Sequence, residues 1–231
     1  MKIKRIKSGV HGFDKLCHGG FVENSYNIVA GGAGTGKSLF AMQFLYEGLK
    51  KGEKCLYVSF EETEEKIYNE MKLLGMDLQK YKSKLNFLEY SSKQVKFLLE
   101  EGGGAIEEII VKKKITRMVI DSITTFYMMY PDQLSKIEAG LAIYNLLKKW
   151  KCTSIVTSNL RTSYTGIPLD ENISLDFKSD SAIYLYNMKN NEKRLRGIEI
   201  LKMHNTAHSN LIHLFDINKQ GLKLKKKILK H

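Results

Sequence analysis

Residues 25–50 read SYNIVAGGAGTGKSLFAMQFLYEGLK, and this stretch decides the fold. Ser25 to Ala30 is short and turns wholly apolar toward its end, as a buried strand does. Gly31-Gly32-Ala33-Gly34-Thr35-Gly36-Lys37-Ser38 follows at once and fits the pattern G-x-x-x-x-G-K-[ST]. A helix is predicted from Gly36 to Lys50, with Leu39, Met42, Tyr46 and Leu49 on one face. Strand, glycine loop and helix in that order make a cradle for the phosphates of Mg-ATP. Glycines let successive backbone N–H groups turn inward where a Cβ would obstruct. The helix aims its positive end at the same charge. Gly32, Ala33, Gly34, Thr35, Gly36, Lys37, Ser38 and Leu39 are therefore the candidate nucleotide-binding residues. Lys37 reaches the β- and γ-phosphates and is counted with the catalytic groups; the Ser38 hydroxyl is a Mg²⁺ ligand.

Outward from this stretch, strand and helix signals alternate. Strands are predicted at Lys54 to Phe60, Leu85 to Tyr90, Arg117 to Asp121 and Thr153 to Ser158. Helices are predicted at Thr63 to Leu74, stopped by Gly75, and on both sides of Gly102-Gly103-Gly104 within 92–114. A longer helix follows Pro131, its buried stripe being Leu134, Ile137, Leu141, Tyr144 and Leu147. Asn159 to Asp176 has no period and reads as a long loop. Beyond Asp180 the helices cease: Ala182 to Tyr186, Arg196 to Met203 and Leu211 to Ile217 read as successive strands. The expected fold is α/β, a mostly parallel sheet flanked by helices with a C-terminal antiparallel β extension. Without a linker or repeat, residues 1–231 read as a single domain.

Two further sites carry chemistry. Asp121 ends an apolar strand, where a carboxylate can orient Mg²⁺ through water. Glu61 and Glu62 follow the second strand, at the sheet edge where ligands of such folds bind. A carboxylate there can take a proton from an attacking water, and Glu61 is the assigned base. Glu62 also suits the acidic first turn of the next helix.

Composition sets bounds on partners. No apolar run is long enough for a membrane span, and the basic N-terminus has none of the apolar run of a secretory signal. Cys17, Cys55 and Cys152, odd in number and without metal-like spacing, read as reduced thiols of a cytoplasmic protein. The net charge of +12 rests on lysine, since only five of the 37 basic residues are arginine. Runs at Lys112 to Lys114, Lys148 to Lys151 and Lys223 to Lys230 would attract polyanions at low salt. They are scattered, and arginine for base reading is scarce.

Several phrases resemble the KaiC-like branch of RecA-type ATPases, over nearly the whole chain. They are SGVHGFDKLCHGGFVENS before the glycine loop, LYVSFEE and MVIDSIT at the second and fourth strands, and IEILKMHNTAHS late in the chain. The resemblance implies a RecA-like P-loop NTPase fold and ATP and Mg²⁺ as cofactors. It also implies a homo-oligomer, a hexameric ring, with nucleotide at subunit interfaces. In that family a lysine and an arginine of the last phrase reach a neighbour's nucleotide. By position Lys202 keeps the lysine, His204 replaces the arginine, Asn205 replaces a glycine, and Thr206 and His208 keep two nucleotide-side positions. An arginine finger supplies 10³–10⁵ in rate, about 4–7 kcal/mol, which a mostly neutral histidine does not match. Low turnover and a regulatory or scaffolding role are therefore expected. In the circadian relative one domain phosphorylates a Ser/Thr pair; Asp176 and Phe177 stand there, so no autokinase activity is expected.

The alternative is an ATP-dependent, DNA-binding recombinase-like protein using the loop from Arg161 to Asp176. That loop offers one arginine and one aromatic, Tyr164, a poor supply for base stacking. A nucleic acid or a regulatory protein remains as a candidate partner.

Overall fold

The computed structural model describes residues 3–91, 94, 104–160, 178–190 and 192–229. In chain order the elements are β1 (Arg5–Ile6), β2 (Phe21–Val22), β3 (Tyr26–Gly31), α1 (Lys37–Lys50), β4 (Cys55–Ser59), α2 (Glu64–Leu73) and β5 (Leu85–Glu89). There follow α3 (Gly104–Lys113), β6 (Arg117–Asp121), α4 (Ile123–Tyr127), α5 (Gln133–Trp150), β7 (Thr153–Asn159), β8 (Ser181–Asn190), β9 (Lys193–Met203), β10 (His213–Asn218) and β11 (Gly221–Ile228).

Nine strands form one sheet in the order β11-β10-β9-β8-β3-β7-β6-β4-β5. From β8 to β5 every neighbouring pair is parallel. From β8 through β9 and β10 to β11 the pairs are antiparallel. This is the predicted α/β sheet with its C-terminal antiparallel extension.

Alternation along the strands divides the core between two faces. Val29, Tyr57, Val119 and Ile155 pack with α1 and α2 on one side. Ile28, Val58, Ile120 and Val156 pack with α3, α4 and α5 on the other. Such two-sided burial explains why the central strands read as apolar runs. On the α1 face, Phe13, Phe21, Phe40 and Phe44 meet at tilted and edge-on ring contacts of 5.2–6.4 Å. The C-terminal hairpin bends over the same helix, where Leu222 N donates to Gln43 Oε1 at 2.7 Å.

One expectation changes, and two elements not predicted appear. The buried stripe of α5 is Ala139, Gly140, Ile143 and Leu147, while Leu134 is 65% exposed. Small residues let this helix lie close on the sheet, so size misled a reading based on large apolar side chains. The lysine tail is largely β11, an edge strand on which alternating lysines are a common protection against further pairing. The short helix α4 lies in a stretch for which no element is predicted. The stretch 161–177, with Arg161, Tyr164, Asp176 and Phe177, lies outside the described residues, as does most of 92–103.

Candidate functional site

The glycine loop leaves the carboxyl end of β3 at the middle of the sheet. Gly34 and Gly36 have φ of +69° and +97°, the left-handed conformations that glycine adopts without strain. Gly36 precedes α1 with no side-chain cap, and Phe40 N already bonds Gly36 O at 2.9 Å. The amides of Lys37, Ser38 and Leu39 are thus the helix donors left for an anion. The Leu39 side chain is buried in the core, so its contribution is confined to that amide. Thr35 Oγ1 donates to Gly32 O at 2.8 Å and closes the loop upon itself.

Lys37 is buried at 8% exposure, and its ammonium donates to Gly32 O at 2.9 Å. Burial lowers its pKa below 10.5, while the negative charges of Asp121 and Glu61 pull it upward. That coupling brings glycine loop, Asp121 and Glu61 into one site, as their sequence positions predict.

Asp121 is held from two sides. Its Oδ2 accepts from Tyr57 Oη at 2.5 Å and its Oδ1 from Thr157 Oγ1. Tyr57 stacks on Phe87 with ring centroids 5.0 Å apart, which fixes the hydroxyl. Burial, then the Asp121 charge, raise the Tyr57 pKa well above 10, so this phenol remains a donor. Each carboxylate oxygen keeps a further lone pair for a metal-bound water.

The two glutamates separate. Glu61 Oε1 accepts from Ser122 Oγ at 2.5 Å and from Thr125 Oγ1 at 2.6 Å, tying it to the segment after β6. Glu62 instead pairs with Lys66 Nζ at 2.5 Å across the first turn of α2. Thr63 caps that helix by accepting from Lys66 N.

Among the described residues no cluster of three or more His, Cys, Asp or Glu could hold a metal by itself. One carboxylate and one hydroxyl suit Mg²⁺, which keeps several waters and takes oxygens from substrate phosphates. The donors therefore fit Mg-ATP.

The late cluster lies elsewhere. Ala182 of β8 pairs with both Ile28 of β3 and Lys202 of β9. Lys202 is thus level with Ile28, three residues or about 10 Å back from Gly31 and two strands aside. Beyond it the chain leaves the sheet at the opposite edge, where His204 N donates to Asp180 O at 2.7 Å. His204 and Asn205 are exposed there, Asn205 with φ of +54°. Thr206 Oγ1 accepts from Arg5 Nη1 at 2.6 Å, and His208 Nδ1 lies 3.0 Å from Ser209 O. Lys202, His204, Thr206 and His208 are together, and not at their own chain's glycine loop.

The family model described as "ATPase: KaiC" matches residues 6–228. The chain belongs to the KaiC family of ATPases. A UPF0273 protein of Pyrococcus furiosus is 30% identical, with 95% of this chain and 93% of that one covered. A circadian clock oscillator protein KaiC from Parathermosynechococcus lividus is 34% identical over 96% of this chain, which spans 42% of that protein. The crystal structure of a KaiC-like protein from Pyrococcus horikoshii superposes with a TM-score of 0.85 at 29% identity, covering 97% of this chain and all of that one. Fold and family thus agree with the glycine loop, and they favour a KaiC-like ATPase over the recombinase alternative. Nucleotide binding and ATPase chemistry come with the family.

Sequence reading missed Tyr57, Thr157, Ser122, Thr125 and Arg5. Each acts by holding a predicted residue, and only strand register could have placed Tyr57 and Thr157 beside Asp121. The lysine runs are partly answered by local carboxylates: Lys112 with Glu108, Lys149 with Glu107 at 2.8 Å, Lys148 with Asp180 at 2.7 Å and Lys225 with Asp216 at 2.8 Å. No helix among the described residues is long and apolar enough to cross a membrane.

Proposed function

We propose that this chain, one domain over residues 1–231, is a slow ATPase that assembles head to tail into a hexameric ring with ATP at its subunit interfaces. It acts as a cytoplasmic regulatory or scaffolding switch. One observation carries the reading: Lys202 to His208 and the glycine loop occupy opposite edges of the same sheet. If both touch nucleotide, the nucleotides belong to different subunits, and a heterologous contact of this kind gives a ring where its rotation closes. Three free, buried thiols accord with a reducing compartment.

Roles follow from position. Gly32 to Gly36 and the first amides of α1 bind phosphate, and Lys37 neutralises it. Ser38 and Asp121 would hold Mg²⁺, which would supply positive charge to offset that developing on the phosphate. Glu61, oriented by Ser122 and Thr125, accepts a proton from the attacking water; Glu62 supports α2 and the local field. From the neighbour come Lys202 as the principal cation and His204 where an arginine would stabilise the transition state.

Steady-state hydrolysis with variants of the neighbour-facing residues tests this. Turnover well below tens per second is expected, reduced further by Lys202→Ala and by His204→Ala. His204→Arg should raise it by roughly tenfold or more, part of an arginine finger's 10³–10⁵. Turnover of tens per second, or indifference to both alanine substitutions, defeats the reading.

A further inference from the structure

Arginine is scarce in this chain, and the structure assigns one of its five to a use outside the nucleotide pocket. Arg117 is buried in a bidentate pair with Glu53, while Arg194 bonds Asn187 O in the β8–β9 hairpin. Arg5 lies on β1, which pairs with β2 in a separate two-stranded sheet, and it reaches residues some 200 positions further along the chain. Its Nη1 donates to Thr206 Oγ1 at 2.6 Å and to Gly20 O at 3.4 Å, and its Nη2 donates to Asn205 O at 3.2 Å. The Thr206 hydroxyl in turn donates to His204 O at 3.1 Å.

These bonds converge on one turn. Asn205 sits at φ +54°, a left-handed conformation that asparagine tolerates better than most residues and that turns the chain sharply here. Asp180 O fixes the start of the turn through His204 N, and the Arg5 fork fixes its middle and end. Lysine, a point donor on a flexible stem, cannot span both acceptors in this way. Gly20 has φ +114°, and an added Cβ there would stand 2.2 Å from Ile6 O, so the Arg5 strand is itself closely seated.

We propose that Arg5 is a positioning residue for hydrolysis in the adjoining subunit: it clamps the His204–Thr206 turn in the geometry that meets the neighbour's nucleotide. The proposal rests on the head-to-tail reading. Misplacing a catalytic group by about 1 Å costs up to about 100-fold in rate, and the loss of an orienting partner about 10–100-fold. Arg5→Ala should therefore lower turnover by about tenfold or more, with ATP binding to the isolated subunit unchanged. Arg5→Lys should recover only part of it.

Mixing separates this from damage to the fold. Lys37→Ala subunits cannot hold ATP but carry an intact turn; Arg5→Ala subunits hold ATP but carry a loosened one. Mixed with Mg-ATP, they should exceed the summed turnover of the two variants alone, because the intact turn then faces a filled site. A parallel mixture of Lys37→Ala with Lys202→Ala serves as reference. Recovery in both mixtures supports the proposal. Recovery only in the reference overturns the role of Arg5 and leaves the head-to-tail reading standing; recovery in neither overturns both.

Discussion

Asp121 and Glu61 differ in what holds them, and the difference suits the roles proposed for them. Asp121 is buried and accepts from two hydroxyls, those of Tyr57 and Thr157, which hold its position rigid. Glu61 is exposed and held through one oxygen, so the other is available to water. Glu62, paired with Lys66, lies just ahead of the α2 cap, beside the chemistry. Glu61→Gln should lower turnover by about 10²–10⁴ while preserving ATP affinity, and Glu62→Gln should lower it by far less. Equal losses in a single-turnover assay would return the assignment of the base to either residue.

Among the elements, the join of α1 to β6 is the most demanding. Arg117, at 1% exposure, threads past Gly48: its Nη1 donates to Phe44 O and Lys7 O, and its Nε and Nη2 to Glu53. A Cβ on Gly48 would lie 2.5 Å from Arg117 Nε. Helix propensity alone favours Gly48→Ala by about 1 kcal/mol. Displacing a hydrogen-bonded, buried guanidinium costs more, about 3–5 kcal/mol if the pair breaks. The substitution should thus lower the melting temperature, and a rise would show that Arg117 can yield.

Glu53 adds a pH dependence to this join. Burial tends to raise its pKa, but the hydrogen bond and charge of Arg117 outweigh that and hold it below 4.5. A carboxyl depressed in the folded state contributes stability that is complete above its unfolded pKa and lost as pH falls through the folded one. Denaturant titrations between pH 7 and pH 3 should show this acid loss, and Glu53→Gln should flatten it. A variant as acid-sensitive as the parent would remove Glu53 from the account.

After Gly31–Ser38, the legible parts were those set by local chemistry. The central strands announced themselves because both faces are buried, and Asp121 and Glu61 because they end strands of a parallel sheet. Long-range pairing hid the rest. Arg5 and Thr206 are 201 residues apart, and Tyr57 meets Asp121 only through the register of β4 on β6. The α5 stripe was misjudged because Ala139 and Gly140 are buried for smallness, which apolar periodicity does not weigh.

For the whole molecule, the sheet itself separates the two halves of the proposed site. Its parallel half delivers the glycine loop, Glu61 and Asp121 to one edge, and its antiparallel half returns the chain so that Lys202 to His208 emerge at the other. A chain so arranged presents a nucleotide-binding loop at one end and the Lys202 to His208 segment at the opposite end, two unlike surfaces suited to head-to-tail contact. With His204 at the arginine's place, bound ATP would join subunits for longer than it is consumed. Mass in solution with and without Mg-ATP, with hydrolysis followed on the same sample, tests this most directly. The account predicts a nucleotide-dependent rise to a closed multiple of the chain mass, absent in Lys37→Ala, together with low turnover. A species that stays monomeric in saturating Mg-ATP while hydrolysing it at an ordinary rate would contradict it.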